Sequence, residues 1–245
     1  MGFGAVVLAA GLSSRMAPVN KLLMSLGGRP AIRHVVQTAL DAGLDSVTVV
    51  VGHDREALCA ALEGLPVRIV GNDGYEEGLA SSIRAGVAAI AAEVDAAVFL
   101  LGDMPLIAPR HLGPLLAAFA PAEGHSICIP TYSTKRGNPV LWSAQYFPRL
   151  SELRGDQGAR VLFQDLAEQI FEVEMPDDAV LVDINTQAAL GSARTRFAQA
   201  EATQDVHWRA LCTADPATGP RNARSGAGAA SDGPGDGAEQ PLLRR

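Results

Sequence analysis

The run AVVLAAG, Ala5 to Gly11, constrains the chain more than any other stretch. Every residue before the glycine is apolar and none marks a solvent face, so Ala5–Ala9 is predicted as a strand buried on both sides. The same kind of run returns in SVTVVVG (46–52), PVRIVGN (66–72), DAAVFLLGD (95–103) and SICIPTY (126–132). Helical periodicity fills the gaps. Over Pro30–Ala42 the residues Ile32, Val35, Val36, Ala39 and Leu40 share a face, with Pro30 suited to the first turn and Gly43 to the stop. Helices are also predicted over Asp54–Leu62, over Leu79–Ala92 (Ile83, Val87 and Ile90 inward) and over Pro109–Phe119. Strands alternating with helices predict an α/β fold, a mostly parallel sheet covered on both faces by right-handed crossovers. Ligands of such sheets sit beyond the carboxyl ends of the strands. Gly11, Asn72 and Asp103 all stand at or just past such ends.

After Tyr132 the rhythm changes. RGNPVLW and IFEVEMP are predicted as shorter strands with a helix near Gly158–Ala167 between them, and VLVDINT as a further short strand leading into a helix from Gln187 to about Ala200. These are expected to extend the same sheet, giving one domain over residues 1–200 and a C-terminal extension over 201–245. From about Thr213 the extension is Gly, Ala, Pro, Ser and Asp; it cannot bury enough apolar surface to offset its chain entropy and is expected to be disordered.

Composition removes several function classes. A net charge of −7 argues against an extended nucleic-acid partner. The three cysteines, Cys59, Cys128 and Cys212, form no CxxC pair, which argues against a disulfide framework or a zinc site and fits a reducing cytoplasm. The apolar start lacks a preceding basic region, and no apolar run reaches the roughly 18–20 residues needed to span a bilayer. A cytoplasmic protein with no membrane partner is expected.

The segment GLSSRMAPVNK, Gly11 to Lys21, lacks the second glycine and the Lys-Ser pair of a P-loop, and the G-x-G-x-x-G fingerprint is absent. A loop after a buried strand can still hold an anion: Gly11 permits close backbone approach, Ser13 and Ser14 donate, Arg15 can fork onto phosphate oxygens and Lys21 supplies a point charge. A solvated loop with two incidental cations fits the spacing equally. Asp103, after an apolar strand and before Pro105, suits a hard cation such as Mg²⁺, or is a turn residue. Asp183 stands in a similar place. Asn72, with Ser81 and Ser82 at a helix start, suits an anion or sugar hydroxyl, or a capped helix. No metal-ligand spacing of histidines and no G-x-S-x-G elbow supports a zinc enzyme or a triad hydrolase.

The segments VLAAGLSSRM…NKLL, GDMPLI, RGNPVLW, GDQGAR and VDINT occur in that order. Together they resemble the nucleotidyltransferases of molybdenum cofactor synthesis, over about residues 4–200, and most of all the cytidylyltransferases. Guanylyltransferase relatives typically read LAGG where this chain reads LAAG. The resemblance implies a Rossmann-like, three-layer, GT-A-like nucleotidyltransferase fold and a Mg²⁺-dependent reaction. In it the terminal phosphate of molybdopterin attacks the α-phosphorus of CTP and pyrophosphate leaves. It further implies that Leu8, Ala9, Ala10 and Gly11 contact base and ribose, with Ser13, Asn72, Gly78 and Ser82 on the nucleotide side. Arg15 and Lys21 would hold the triphosphate, and Asp103 and Asp183 the Mg²⁺; Arg15, Lys21 and Asp103 would carry catalysis. Asn138, Pro139, Asp156 and Arg160 would lie on the pterin side, and a molybdenum hydroxylase apoenzyme is an implied partner. Ala17 departs from the family, where many relatives carry glycine. The alternatives are a guanylyl- or other nucleotidyltransferase with a different phosphorylated acceptor, or a cofactor-delivery chaperone for molybdenum hydroxylases.

Overall fold

Alternate side chains of the first strand enter different cores: Ala5, Val7 and Ala9 join one buried cluster, Val6, Leu8 and Ala10 the other. A strand with two buried faces has no position for a polar residue, which is why the run is wholly apolar. In the computed structural model, which describes residues 1–199 except Ser14, Arg15, Ala17, Pro18 and Gln157, the elements follow in order. They are β1 (Phe3–Ala9), a small hairpin of β2 (Ser25–Leu26) and β3 (Arg29–Pro30), α1 (Ala31–Asp41), β4 (Ser46–Val51), α2 (Arg55–Ala61), β5 (Arg68–Gly71), α3 (Leu79–Ile90), β6 (Ala96–Leu101), α4 (Pro109–Ala118), β7 (Ile127–Tyr132), β8 (Lys135–Arg136), β9 (Val140–Ser143), α5 (Phe147–Ser151) and β10 (Ile170–Glu174). A last helix, α6, covers residues 187–199.

The main sheet has the order β10-β7-β9-β6-β1-β4-β5, with β8 paired to β7. Strands β5, β4, β1 and β6 are mutually parallel, and β10 is parallel to β7. Strand β9 runs antiparallel to both of its neighbours, β6 and β7. Helices α1, α2 and α4 supply Ile32, Val35, Leu58, Leu112 and Leu115 to one core, while α3 and α5 supply Ile83, Val87, Ile90, Phe147 and Leu150 to the other. The result is the expected three-layer α/β fold with a mostly parallel sheet. Parallel β1, β4, β5 and β6 bring Ala9, Val51, Gly71 and Leu101 to one edge, the edge the site uses.

Three expectations are corrected. VLVDINT is not a strand: Asp178–Leu181 is a 3-10 turn, and the following residues make single contacts rather than a ladder, notably Ile184 N–H to the Asp103 carbonyl at 2.9 Å. The helix near Gly158–Ala167 is only a 3-10 turn, Gly158–Leu162. Gly158 opens it at φ 61°, where a Cβ would lie 2.9 Å from Leu79 Cδ2. Pro30 sits in β3 with an extended ψ of 141° instead of in the first turn of α1. The hairpin that displaces it turns on Gly27 and Gly28, both at positive φ (53° and 77°), the dipeptide that a two-residue hairpin favours. Helix α6 is docked by a third small core, in which Ile184, Leu190 and Ala193 meet Met16, Leu26 and Ala31. The extension over 201–245, with the disorder expected from about 213, lies outside the described residues. Among the described residues no helix is long and apolar enough to cross a membrane.

Candidate active site

At the end of β1 the chain is tied to β4: His53 N–H donates to the Ala10 carbonyl at 3.3 Å. Gly11 then stands in open space, where a Cβ would meet nothing within 4 Å. The loop is closed by Asn20, only 5% exposed. Its Oδ1 accepts from Ser13 Oγ (3.2 Å) and from Leu22 N–H (3.0 Å), so it caps the 3-10 turn Lys21–Leu23. That turn aims Lys21 across to β6, where Nζ is 2.5 Å from Asp103 Oδ2. Nζ also donates to Asn185 Oδ1. Both ends of the Lys21–Asp103 pair are largely buried (17% and 15% exposed). Asn185 is held by the hydrogen bond from Ile184 N–H to Asp103 O and by an Asx turn in which its own N–H donates to Asp183 Oδ1 at 3.3 Å.

Two hard oxygen donors, a carboxylate and an amide carbonyl, thus converge on one ammonium. This arrangement fits a hard divalent cation, with Lys21 Nζ standing in its place. No group of three His, Cys, Asp or Glu among the described residues could hold a metal alone. The remaining ligands would come from water and phosphate, the usual habit of Mg²⁺. The Asp103 and Asp183 segments meet through the Ile184 N–H bond to the Asp103 carbonyl. The side chain from the latter segment that meets Lys21, however, is Asn185's, while Asp183 lines a neighbouring cavity.

The opposite wall starts from Asn72, buried at the end of β5. Its Nδ2 donates to Ser81 Oγ (2.8 Å) and Ser82 Oγ (3.1 Å), and its Oδ1 accepts from Gly74 N–H (3.1 Å). Asn72 therefore shapes the wall from behind. The first backbone donors of α3 are occupied, as a capped helix requires: Leu79 N–H donates to Asp156 Oδ1 (3.2 Å) and Ala80 N–H to the Gly155 carbonyl (3.1 Å). Gly78, at φ 99°, passes so close that a Cβ would lie 2.8 Å from that same Gly155 oxygen. Tyr75 fits only because residue 52 is glycine, where a Cβ would be 2.8 Å from Tyr75 Cβ and 2.9 Å from Ala10 Cβ.

These walls enclose a cleft of about 530 Å³. Of the expected nucleotide-side residues, Leu8, Ala9, Ala10, Gly11, Ser13, Lys21, Gly78 and Ser82 line it, together with Asp103. Arg15 lies outside the described residues. Tyr75 and Asn185 also line it and were missed; Asn185 carried a signal, since it follows Asp183 within VDINT.

A second cavity of about 370 Å³ adjoins the first, and both are lined by Leu8, Leu79, Leu101 and Asp156. Asn138, Asp156, Asp183 and Arg160 line the second, while Pro139 is buried beside Asn138. Its character comes also from Arg136 and Trp142, the two ends of RGNPVLW, and from Phe163, just past GDQGAR, to which no role was assigned. The rings of Trp142 and Phe163 stack with centroids 5.8 Å apart and 22° between planes. The Arg136 guanidinium lies 5.8 Å from the Phe163 centroid. One wall, at Val180 and Leu181, is anchored from behind by His111, Arg110 and Asp177. Burial lowers the pKa of His111, whose Nδ1 accepts from Ala108 N–H (2.9 Å) while Nε2 lies 3.1 Å from Asp177 Oδ1. Burial would raise the pKa of Asp177, but Arg110, the Ala179 N–H and His111 outweigh it and hold the carboxyl at about 2.

Comparison with known proteins now bears on this geometry. The family model for the MobA-like NTP transferase domain matches residues 5–170. Nicotine blue oxidoreductase of Paenarthrobacter nicotinovorans is 30% identical over 74% of this chain and 91% of its own length. Bifunctional protein GlmU of Sorangium cellulosum is 38% identical over 52% of this chain, which spans only 28% of GlmU. Among solved structures, a nucleotidyl transferase from Methanothermobacter thermautotrophicus superposes with a TM-score of 0.72 at 29% identity, covering 81% of this chain and 99% of the other. Rv0371c of Mycobacterium tuberculosis, in complex with manganese, gives 0.68 at 25% identity, covering 80% of this chain and 99% of the other.

Proposed function

The chain belongs to the family of MobA-like NTP transferase domains, and from that premise we propose that it transfers CMP from CTP to the terminal phosphate of molybdopterin, giving the cytosine dinucleotide form of the cofactor. The observation that carries the reading is the pair of adjoining cavities. One carries Lys21, Asp103 and Asn185 on its wall; the other is largely apolar, with Phe99 and Phe163 in its lining and Arg136 and Arg160 at its edge; Asp156 lines both. The donor nucleotide takes the larger cleft and a planar, phosphorylated acceptor the smaller one.

In this reading Leu8–Gly11 contact the base and ribose, and Lys21, with Arg15, neutralises the triphosphate. Asp103 and Asn185 hold a divalent cation, which, when bound, offsets phosphate charge. Asp183, expected to share that cation, is instead assigned to the acceptor side with Asn138, Asp156 and Arg160. Phe163, partly exposed and backed by the buried Trp142, gives that cavity an aromatic wall against which a pterin ring packs. The acceptor phosphate oxygen forms the new bond to the α-phosphorus, and the α–β bridging oxygen leaves with the electron pair of the broken bond on pyrophosphate. No protein nucleophile is needed, because positioning and charge neutralisation supply most of the catalysis. Selection of cytosine is assigned to the LAAG segment, where Ala10 packs against residue 52 and Tyr75. The product is suited to direct hand-over to a molybdenum hydroxylase apoenzyme.

The test is pyrophosphate release with molybdopterin and Mg²⁺, comparing CTP with GTP. CTP should be strongly preferred. GTP used at least as well removes the base assignment, and release that requires a sugar or alditol phosphate instead removes the acceptor. A redox reading is raised by the relative named nicotine blue oxidoreductase. It would place a reduced nicotinamide nucleotide in the cleft and a planar hydride acceptor in the smaller cavity. Oxidation of the nicotinamide without any pyrophosphate release from a nucleoside triphosphate would favour it.

A further inference from the structure

We propose that Asp54, outside the cleft lining, is the positioning residue that fixes Lys21 for the triphosphate, acting through Asn20. The proposal rests on the reading of Lys21 as a triphosphate ligand. Asp54 stands where a helix cap belongs, immediately before α2, yet its side chain makes no cap hydrogen bond to that helix. Its backbone is in the left-handed region (φ 54°, ψ 35°), which few non-glycine residues adopt and which aspartate tolerates better than most. A residue type suited to capping, held in an uncommon conformation, has its carboxylate turned elsewhere: Oδ2 accepts from Asn20 Nδ2 at 3.1 Å. His53 Nε2 lies 3.4 Å from the same oxygen.

This contact acts together with the Leu22 N–H to hold the Asn20 amide in one orientation. An ionised carboxylate only accepts, so the amide must turn its NH₂ toward Asp54 and its oxygen toward Ser13 and Leu22. That oxygen caps the turn that begins at Lys21 and closes the loop back onto Ser13. With the amide reversed, an NH₂ would face the Leu22 N–H, donor against donor, in a buried position. Asp54 thereby links the end of β4 to the residue next to Lys21, and the sheet, through that link, sets where the ammonium stands relative to Asp103.

The experiment uses the full chain. CTP binding with Mg²⁺ is measured by calorimetry for Asp54→Gly, which accepts the positive φ but removes the carboxylate, and for Asp54→Asn, which keeps an acceptor oxygen. Asp54→Gly should weaken CTP about tenfold, the effect of losing one charge-assisted hydrogen bond, with Asp54→Asn close to wild type. Asn20→Ser, which keeps a capping oxygen but cannot reach Asp54, should match Asp54→Gly and provides the same reading independently of residue 54. In a Lys21→Ala background Asp54→Gly should add less than about a twofold change, because the residue it positions is gone. A merely structural role would cost the same in both backgrounds, and that result overturns the proposal. If Lys21→Ala weakens CTP but Asp54→Gly and Asn20→Ser do not, the positioning role alone falls. If Lys21→Ala leaves CTP affinity unchanged, the triphosphate reading falls and takes this proposal with it.

Discussion

The two adjoining cavities are built on different plans. The larger cleft takes its chemistry from strand ends: Leu8 and Ala9 end β1 and Ala10 follows it, Asp103 stands just past β6, Asn72 follows β5, and Lys21 is brought in by a capped turn. Backbone in register fixes these positions, so few side chains are needed and most are small or charged. The smaller cavity is assembled mainly from β9, the segment over 158–163 and the segment over 178–183; aliphatic side chains such as Ile83, Met104 and Leu181 share its lining with Phe99, Trp142 and Phe163, and Arg136 and Arg160 stand at its edge. A site fixed by a sheet suits a donor group common to many reactions. One fixed by the packing of turns can change its acceptor without disturbing the sheet. Asp156, which lines both cavities and caps α3, is where the two plans meet.

The largest effects are expected in the cleft. Asp103→Asn keeps the size of the side chain but removes its charge; turnover should fall about 10³-fold, the scale of losing a preorganised electrostatic contact. Wild-type turnover in this variant would separate catalysis from the cleft and favour a delivery role. Lys21→Ala should lower turnover about 10²-fold. It should also tighten Mn²⁺ binding to the nucleotide-free chain, read by electron paramagnetic resonance, because the ammonium no longer occupies the space between Asp103 and Asn185. Unchanged Mn²⁺ affinity would place the cation elsewhere.

The difference in plan also explains what sequence reveals. GLSSRMAPVNK and GDMPLI each follow an apolar strand directly, so each could be read as a site segment from its own local pattern, although Lys21 and Asp103 stand 82 positions apart. Asn185 escaped because a conspicuous neighbour, Asp183, drew the assignment; only the Asx turn shows which side chain faces Lys21. Phe163 escaped because its role depends on stacking against Trp142, 21 positions away by the numbering, a pairing that no local pattern encodes. VLVDINT reads as a strand because apolar alternation cannot distinguish a ladder from a segment buried through Ile184 and held by one backbone contact. The fold, set by repeated local patterns, is legible nearly throughout, whereas the wall of the smaller cavity depends on contacts between segments that no local pattern pairs.

Phe163→Leu probes whether the cavities are functionally separate. Loss of the stacked ring should raise KM for the acceptor about fivefold, the scale of one aromatic pair, with CTP affinity unchanged. Equal losses for both substrates would mean that the cavities act as one site, and the comparison between them would fail.

The smallest effect concerns what holds one wall of the smaller cavity in place. Asp177 anchors the turn over 178–181 through Arg110, His111 and the Ala179 N–H, and its pKa is held at about 2. A carboxyl whose pKa is lower in the folded chain than in the unfolded one contributes stability in full above its unfolded value. That contribution is lost as pH falls through the folded value, here between about pH 4 and pH 2. His111, lowered by burial, acts in the same direction at milder acidity: the unfolded chain takes up its proton first, so stability begins to fall below about pH 6.5. Asp177→Asn should cost about 1 kcal/mol at neutral pH, a discounted figure for a partly exposed pair. Urea unfolding of the two proteins should then converge as pH approaches 2, where the wild-type carboxyl also loses its charge. Because the anchor supports the turn over 178–181 that lines the smaller cavity, CTP affinity at neutral pH should match wild type while acceptor KM rises. A loss of CTP affinity instead would mean that the wall over 178–181 supports the cleft as well, through Ile184 and its contact with Asp103.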